Sequence, residues 1–325
     1  MITSNNGGFP WRGLPGSDEL VEAMAKGDRD GTAADGLREL QDRVSRLAIE
    51  AQIAAGCDLV TDGLTRSRDP MSEIVAGIEG LEAGPAREGF PGGGGGYRVP
   101  LVRRELAWKS PIFGEHFLFG SQGHEGRLKV VLTGPYTIAV LAEDDAYGEP
   151  MALAMALATA LNQELRSLQG AGVPCIQVDE PALLGRPEDF PVFTRIWEVL
   201  GRGVQTRLAL HLEGGPVGTL IAGAGRLKRL GCLSVDCVTV PGNLAALGGA
   251  PVPDGVVLGL GLVSGNTADV EDPATIAARV RSTSGLPPAE RLQLGTGTSL
   301  AALPLATAVA KLKTLDGARR LLLAS

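Results

Sequence analysis

The stretch VPCIQVDEP, at residues 173–181, decides the fold class of this chain. Residues 173–178 are almost continuously apolar, which is typical of a parallel strand covered by helices on both faces of its sheet. Asp179 and Glu180 follow at once, so two carboxylates stand where the strand ends. Burial of carboxylates is costly unless they are paired or used, and we therefore expect a functional site at this end of the strand.

Seven further runs of the same kind are spaced along the chain, and helical patterns separate them. They are residues 1–4, 57–61, 128–132, 207–211, 233–240, 256–262 and 291–294. Eight strands that alternate with helices predict a closed (β/α)8 TIM barrel of the α/β class, with residues 1–325 as a single domain. An open doubly wound sheet is the alternative, but no Gly-x-Gly-x-x-Gly motif follows the first strand.

Several of the intervening helices carry sequence signals for their ends. Apolar side chains recur at helical spacing, and proline, aspartate or glycine stands at the positions that favour a start or a stop. The predicted helices are residues 37–51 with Gly56 as a stop, residues 151–168 after Pro150, a helix that Asp272 caps before Pro273, and residues 305–315.

A glycine-rich and aromatic segment interrupts this repeat between the second and third strands. Residues 89–97 read GFPGGGGGY, and five consecutive glycines lose much backbone entropy when they become ordered. We predict an insertion over residues 84–127 at the rim of the barrel. A β-hairpin and a disordered surface loop are both open interpretations.

Composition limits the class of protein and of partner. The formal net charge is −7, and 44% of the residues are hydrophobic, as in a globular protein that does not bind nucleic acid. The N-terminus has no basic start followed by an apolar run, and no apolar run is long enough to span a membrane. The four cysteines include no CxxC pair, which predicts buried thiols in a reducing compartment. We expect a cytoplasmic protein that acts on a small molecule.

Polar residues at the other strand ends extend the predicted site. His211 is the one histidine at a predicted strand end, and Glu213 lies two residues later on the same side. Such a pair binds a divalent metal or carries out acid–base chemistry. Glu180 points the opposite way from Asp179 along an extended strand. We predict Asp179, His211 and Glu213 as catalytic residues and Gly8, Asp62, Thr133, Gly134, Glu180 and Thr296 as substrate-binding residues.

The sequence resembles the C-terminal catalytic domain of cobalamin-independent methionine synthase almost from end to end. The motifs that carry the resemblance are residues 7–10 (GGFP), 54–63 (AAGCDLVTDG), 132–138 (LTGPYTI), 171–183 (AGVPCIQVDEPAL) and 259–280. The resemblance implies a (β/α)8 barrel. It also implies a reaction in which zinc activates a thiol as the thiolate, which then attacks the methyl group of a folate.

The resemblance implies a zinc ion held by a histidine, two cysteines and a glutamate, and most of that set is replaced here. His211 matches the histidine, and Glu213 stands where the first cysteine is expected. The family glutamate falls near Val240 or Pro241, and the late cysteine falls near Thr296. Because zinc prefers thiolate and imidazole, His211 and Glu213 alone form a weak zinc site. The methyl donor, a folate or a corrinoid that a donor protein could deliver, is left open.

The implied amino-acid pocket has changed as well. Gly8 replaces the family serine, Leu64 stands near the family glutamate, and Asp179 keeps the aspartate that holds the substrate amine. Three functions follow from these departures. The first is a methyl or alkyl transferase acting on a thiol or another small nucleophile. The others are a metal-free lyase or decarboxylase on the same barrel and a non-catalytic binding homologue.

Overall fold

A curled parallel sheet forms the centre of the computed structural model, which describes residues 1–30, 36–92 and 95–324. The sheet has seven strands: β1 (Ile2–Ser4), β4 (Val130–Thr133), β6 (Cys175–Asp179), β7 (Arg207–Leu212), β8 (Leu230–Asp236), β9 (Val257–Val263) and β10 (Leu292–Thr296). They are hydrogen-bonded in the order β1–β10–β9–β8–β7–β6–β4, and every pairing is parallel. The α/β fold with a parallel sheet is therefore confirmed.

A second, smaller sheet contains the glycine-rich region. Strands β2 (Ile78–Arg87) and β3 (Tyr97–Trp108) pair in antiparallel fashion, and β5 (Glu143–Asp144) adds a short parallel edge to β3. The predicted insertion over residues 84–127 thus begins inside β2. Gly93 and Gly94 lie outside the described residues.

Helices connect the strands, and four of them match the patterns in the sequence. Asp272 caps one of these helices, because its carboxylate accepts the backbone N–H of Thr275 at 2.8 Å. Gly56 follows another with φ of 95°, and a Cβ there would lie 2.7 Å from Asp316. The helices are α1 (Ser17–Asp30), α2 (Leu37–Ala54), α3 (Ser72–Gly77), α4 (Gly114–Gly120), α5 (Pro135–Leu141), α6 (Pro150–Gly170), α7 (Phe190–Leu200), α8 (Gly218–Ile221), α9 (Gly242–Gly248), α10 (Pro273–Ser282) and α11 (Leu305–Leu323).

One predicted strand, residues 57–61, does not form a strand in the structure. Gln52 of α2 ends the pairing at Thr61, because its side-chain Nε2 donates to the carbonyl of Thr61 at 2.8 Å and its Oε1 accepts the Thr61 N–H at 3.2 Å. Leu59 and Val60 keep backbone hydrogen bonds to the segments on both sides. The segment keeps two single parallel bridges, Ser4–Leu59 and Val60–Leu128.

The strand predicted over residues 233–240 ends four residues earlier in the structure. The strand stops at Asp236, whose Oδ1 accepts the backbone N–H groups of Val238 and Thr239, both at 3.0 Å. A carboxylate that caps the N–H groups of the following residues turns the chain out of an extended path. Cys237 therefore lies in the turn after the strand rather than inside it.

The composition also led to expectations about the cysteines and about membrane-spanning segments. All four cysteines are buried and unpaired, as predicted. In the part of the chain that the structure describes, no helix has both the length and the apolar character needed to cross a membrane.

A buried carboxylate fastens the end of the hairpin to the helical layer. Glu164 in α6 is fully buried and accepts three hydrogen bonds at once. Its donors are Trp108 Nε1 at 2.9 Å and the backbone N–H groups of Ile112 at 2.9 Å and Phe113 at 3.0 Å. Since these donors lie at the end of β3 and in the segment before α4, Glu164 holds the point where the chain leaves the hairpin.

We expect Glu164→Ala to lower the free energy of unfolding by roughly 2–4 kcal/mol, because three buried donors lose their acceptor. Denaturant unfolding followed by tryptophan fluorescence measures this change. Glu198→Ala is the control, because Glu198 forms an exposed ion pair with Lys228 and its substitution should change the free energy of unfolding far less. Equal losses in the two variants would contradict the structural role of Glu164.

Candidate functional site

A cavity of about 260 Å³ lies at the carboxyl ends of the parallel strands. The ends of β4 and β6 and the loops after β1, β7 and β10 contribute to it, and the tip of the β2–β3 hairpin lines one side. This is the position where ligands bind in parallel α/β folds. The residues that line the cavity include Gly8, Trp11, Asp69, Glu73, Phe90, Phe113, Thr133, Asp179 and Glu213.

The strand register brings the three predicted catalytic residues together. Asp179 at the end of β6 pairs with His211 in β7, and Glu213 follows two residues later. His211 Nε2 lies 3.7 Å from Glu213 Oε2, and its Nδ1 lies 3.0 Å from the hydroxyl of Ser234 in β8. The His211 side chain is almost completely buried, so Glu213 is the member of this pair that lines the cavity.

Burial and neighbouring charges shift the pKa values of this group. Burial raises the pKa of Asp179 to about 6, although the nearby His211 works in the opposite direction. For His211, burial alone would lower the pKa. The nearby carboxylate of Glu213 and the charge of Asp179 outweigh it, so the pKa of His211 is raised. Asp179 therefore keeps its proton to a higher pH than an ordinary carboxyl group, and His211 keeps its proton to a higher pH than an ordinary imidazole.

A buried hydrogen-bond network supports the site from below. The ammonium of Lys129 donates to Ser4 Oγ at 2.8 Å, Asn6 Oδ1 at 2.9 Å and Gln177 Oε1 at 2.6 Å. Gln177 Nε2 donates in turn to Asp179 Oδ1 at 2.7 Å. Asn6 Nδ2 donates to the Ser234 hydroxyl at 3.1 Å, which contacts His211. One lysine thereby connects both halves of the site.

Sequence reasoning missed this network, although some signal was present. Lys129 is a charged residue inside an apolar strand pattern, and Gln177 lies two residues before Asp179 on the same face of β6. The burial of Lys129 lowers its pKa, as desolvation disfavours the ammonium. A lysine in a run of buried residues is the clue that could have identified it.

The structure separates the predicted substrate-binding residues into two groups. Gly8 and Thr133 line the main cavity, and Asp62 lines a smaller chamber beside it. Glu180 is fully buried and accepts the backbone N–H groups of Tyr136 at 3.1 Å and Thr137 at 2.7 Å, which begin α5. Gly134 and Thr296 belong with Glu180, because they also support the backbone. Gly134 packs against the Glu180 carboxylate, and Thr296 Oγ1 accepts the N–H of Asn6.

Glu73 is a cavity residue that the sequence did not reveal. It lies on α3, lines both the main cavity and the smaller chamber, and has a side chain that is 17% exposed. Burial, together with the charge of Asp62, raises the pKa of Glu73 to about 8, against the lowering effect of Arg66. His116 Nδ1 lies 4.0 Å from Glu73 Oε1, and burial lowers the pKa of His116 to about 4.

The donor set around His211 does not match a zinc site. Among the residues that the structure describes, no three His, Cys, Asp or Glu side chains are grouped so that they could hold a metal ion. Cys237 is buried, its thiol donates to the carbonyl of Val235, and burial raises its pKa to about 12. The Asp236 carboxylate is occupied by the N–H groups that follow it.

These features define an α/β protein of the barrel-like class, with an acidic cavity and a buried histidine at the carboxyl edge of a parallel sheet. The chain belongs to the family described as cobalamin-independent synthase, catalytic domain, whose model matches residues 2–212. The resemblance inferred from the sequence motifs is thus confirmed.

Individual relatives agree with this assignment. The chain is 37% identical over 161 residues to a methionine synthase of Saccharolobus solfataricus and 30% identical over 160 residues to one of Pyrococcus abyssi. The matches cover 49% of this chain in both cases, and 47% and 46% of the relatives. The chain therefore spans about half the length of the curated relatives it matches.

Two solved structures share the fold. A B12-independent methionine synthase from Shewanella sp. W3-18-1, in complex with selenomethionine, superposes with a TM-score of 0.80 at 19% identity, over 99% of this chain and 98% of that one. A methyltransferase from Methanosarcina mazei gives a TM-score of 0.63 at 14% identity, over 97% and 93% of the two chains. At these identities the likeness establishes the fold.

The raised pKa of Glu73 leads to a stability test. The unfolded chain releases this proton near pH 4.5 and the folded protein near pH 8, so the folded state loses stability as the pH rises between these values. We expect Glu73→Gln, which cannot ionise, to melt a few degrees above the unsubstituted protein at pH 8 and close to it below pH 5. Thermal unfolding at a series of pH values measures this difference.

Glu79→Gln is the matched control for this test. Glu79 lies on β2 with a side chain that is 51% exposed, next to Arg104, so its substitution should leave the pH profile of melting unchanged. A Glu73→Gln profile that runs parallel to that of the unsubstituted protein would show that Glu73 ionises normally.

Proposed function

We propose that this chain is a methyl or alkyl transferase that acts on a thiol or another small nucleophile. The observation that carries the proposal is that Asp179 and Glu213 line one cavity, with His211 directly behind Glu213, in a chain of the cobalamin-independent synthase family. The methionine synthase names of the relatives favour homocysteine as the nucleophile. A small-molecule substrate agrees with the limited volume of the cavity.

The proposed roles follow from what each side chain faces. Glu213 lines the cavity and accepts the proton of the attacking thiol, and His211 behind it shares that proton. Ser234 holds the imidazole from the other side. Asp179 binds the ammonium of an amino-acid substrate or stabilises positive charge on the transferred group. Net transfer moves the alkyl group from the donor to sulfur and releases one proton.

We also propose that the curled sheet closes as a (β/α)8 barrel and that residues 1–325 form one domain. Support comes from the bridges at the gap between the edge strands, because Leu59 contacts Ser4 in β1 and Val60 contacts Leu128 just before β4. Residues 59–60 would then occupy the position of the missing strand. The segment 84–127, which includes most of the β2–β3 hairpin, would be an insertion at the rim.

A metal-free lyase or decarboxylase is the second candidate. The specific observation in its favour is that, among the described residues, the carboxylate of Glu213 rather than a thiol lies next to His211, while Cys237 is buried in a turn. Acid–base chemistry by Asp179, His211 and Glu213 would not require a metal. The zinc that the family implies does not fit these residues, and no step of the proposed reaction is assigned to it.

The donor set predicts a low zinc content. We expect protein purified without added zinc to contain clearly less than one zinc ion per chain, because one imidazole and one carboxylate bind zinc weakly. Elemental analysis after brief chelation measures this. Glu213→Cys is an informative comparison, since it restores a thiolate beside His211 and should retain more zinc. Stoichiometric zinc that resists chelation in the unsubstituted protein would contradict the expectation and point to Asp236 or Cys237 as ligands.

We expect Asp179→Asn to reduce binding or turnover roughly 30- to 1000-fold, because a charged contact to a cationic substrate group contributes about 2–4 kcal/mol. Melting should be unchanged or slightly higher, since a buried charge is removed. Methyl transfer to homocysteine from a panel of donors, followed by mass spectrometry, provides the assay.

Glu180→Gln is the matched control for Asp179→Asn. The Glu180 carboxylate binds the first backbone N–H groups of α5, so its substitution should lower the melting temperature and keep the activity of each folded molecule. If Asp179→Asn instead melts early and retains normal activity per folded molecule, Asp179 is a structural acceptor and the proposed role is wrong.

A further inference from the structure

The charge of the main cavity is one-sided. Four carboxylates line it, and among the described lining residues there is no lysine or arginine. The four are Asp69, Glu73, Asp179 and Glu213. An anionic ligand would meet no basic side chain among them, whereas a cationic ligand would be attracted from several directions and would favour the ionised forms of Asp179 and Glu73, whose pKa values burial raises.

Three basic side chains of the surrounding structure do not line the cavity. Lys129 donates to three neutral oxygens beneath the site, and Arg66 forms an ion pair with Asp42. Arg12 is exposed and stacks over the ring of Trp11 at 5.8 Å from the centroid. None of these three is among the residues that line the cavity.

Aromatic rings form much of the remaining wall. Trp11, Phe90 and Phe113 come from three separate segments, and all three line the cavity. The ring of Phe90 is held in an edge-to-face contact with Tyr97, with the centroids 5.8 Å apart. Cations whose charged centre carries methyl groups in place of N–H donors are attracted to aromatic faces and to carboxylates.

The cavity is also small. Its volume of about 260 Å³ lies below the range of roughly 300–1000 Å³ that drug-sized ligands occupy. A folate carries a pterin, a benzoyl group and at least one anionic glutamate, so much of it would lie outside this volume. A small molecule with a methylated cationic centre agrees with the cavity in both size and charge.

We propose that the alkyl donor of this protein is a small onium compound, a sulfonium or a quaternary ammonium, bound between the aromatic wall and the carboxylates of the cavity. This inference rests on the proposed alkyl-transfer function. In the reaction the thiol sulfur forms a bond to the methyl carbon and the thiol proton passes to Glu213. The bond from carbon to the onium sulfur or nitrogen breaks, and its electron pair stays on the leaving atom.

The chemistry of an onium donor agrees with the residues present. Its leaving group departs as a neutral sulfide or tertiary amine, so it needs no protonation by the enzyme. Carboxylates beside the onium centre balance its charge in the bound state. An amine leaving group such as that of a methylated folate would instead leave as an anion unless an acid protonated it.

Isothermal titration calorimetry with matched probes tests the binding part. Choline and trimethylsulfonium serve as onium probes, 3,3-dimethyl-1-butanol serves as the neutral isostere of choline, and 5-methyltetrahydrofolate serves as the anionic donor. We expect at least one onium probe to bind at least about tenfold more tightly than the isostere, and the folate to bind more weakly still. Folate that binds more tightly than both onium probes would overturn the inference.

Substitutions locate the binding to this cavity. Trp11→Leu and Glu73→Gln should each weaken onium binding by roughly 3- to 30-fold and leave binding of the neutral isostere almost unchanged. The control is Glu82→Gln, because Glu82 is an exposed carboxylate on β2 with a side chain that is 65% exposed. Equal binding by the three variants would place the onium outside the cavity and overturn the proposal.

A transfer assay separates this inference from the function on which it rests. The protein is incubated with homocysteine and trimethylsulfonium, and S-methylated product is measured by mass spectrometry. Product formation that requires Glu213 and Trp11 supports both proposals. Onium binding without transfer would keep the ligand site but overturn its role as donor. Transfer from methyltetrahydrofolate alone would overturn the onium donor and leave the transferase function standing.

Discussion

The buried ammonium of Lys129 is the constraint on which the rest of the site depends. A charged group inside a protein must have its donors satisfied, because an unpaired buried charge is very costly. Lys129 meets this requirement with three neutral oxygens, from Ser4, Asn6 and Gln177. These acceptors come from the β1 region and from β6, so satisfying one lysine aligns two distant parts of the chain.

The same hydrogen bonds orient the groups that face the cavity. Gln177 accepts from Lys129 and therefore presents its amide N–H to Asp179, while Asn6 presents its own to Ser234 and so positions His211. The hairpin tip adds a contact from above, since a Cβ on Gly92 would lie 2.8 Å from Glu213 Oε1. A glycine at this point lets the tip approach the carboxylate that lines the cavity.

The ionisable groups of the cavity wall are all of one kind. Asp69, Glu73, Asp179 and Glu213 place four carboxyl groups in a wall that has no basic residue among those described. Burial raises the pKa of Asp179 to about 6 and that of Glu73 to about 8, so the empty site reduces its own repulsion by holding protons. A cation entering the cavity would displace them.

The sequence by itself determined the elements whose signals are local. The apolar run before Asp179, the cap at Asp272 and the alternation that puts His211 and Glu213 on one side need only neighbouring residues, and each appears in the structure as expected. The register of β6 and β7 then follows from burying their apolar residues.

Tertiary structure decided the features that depend on residues far apart in the chain. The side chain of Gln52 in α2 ended the pairing of segment 57–61 at Thr61, and the Asp236 carboxylate ended β8 early by capping the turn that follows. The cavity joins Trp11, Glu73 and Asp179, which no spacing rule connects. Hydrophobic periodicity specifies which face of a strand or helix is buried. It does not specify which side chains are in contact there. Those contacts depend on the packing of elements that are distant in the sequence and come together only when the chain folds.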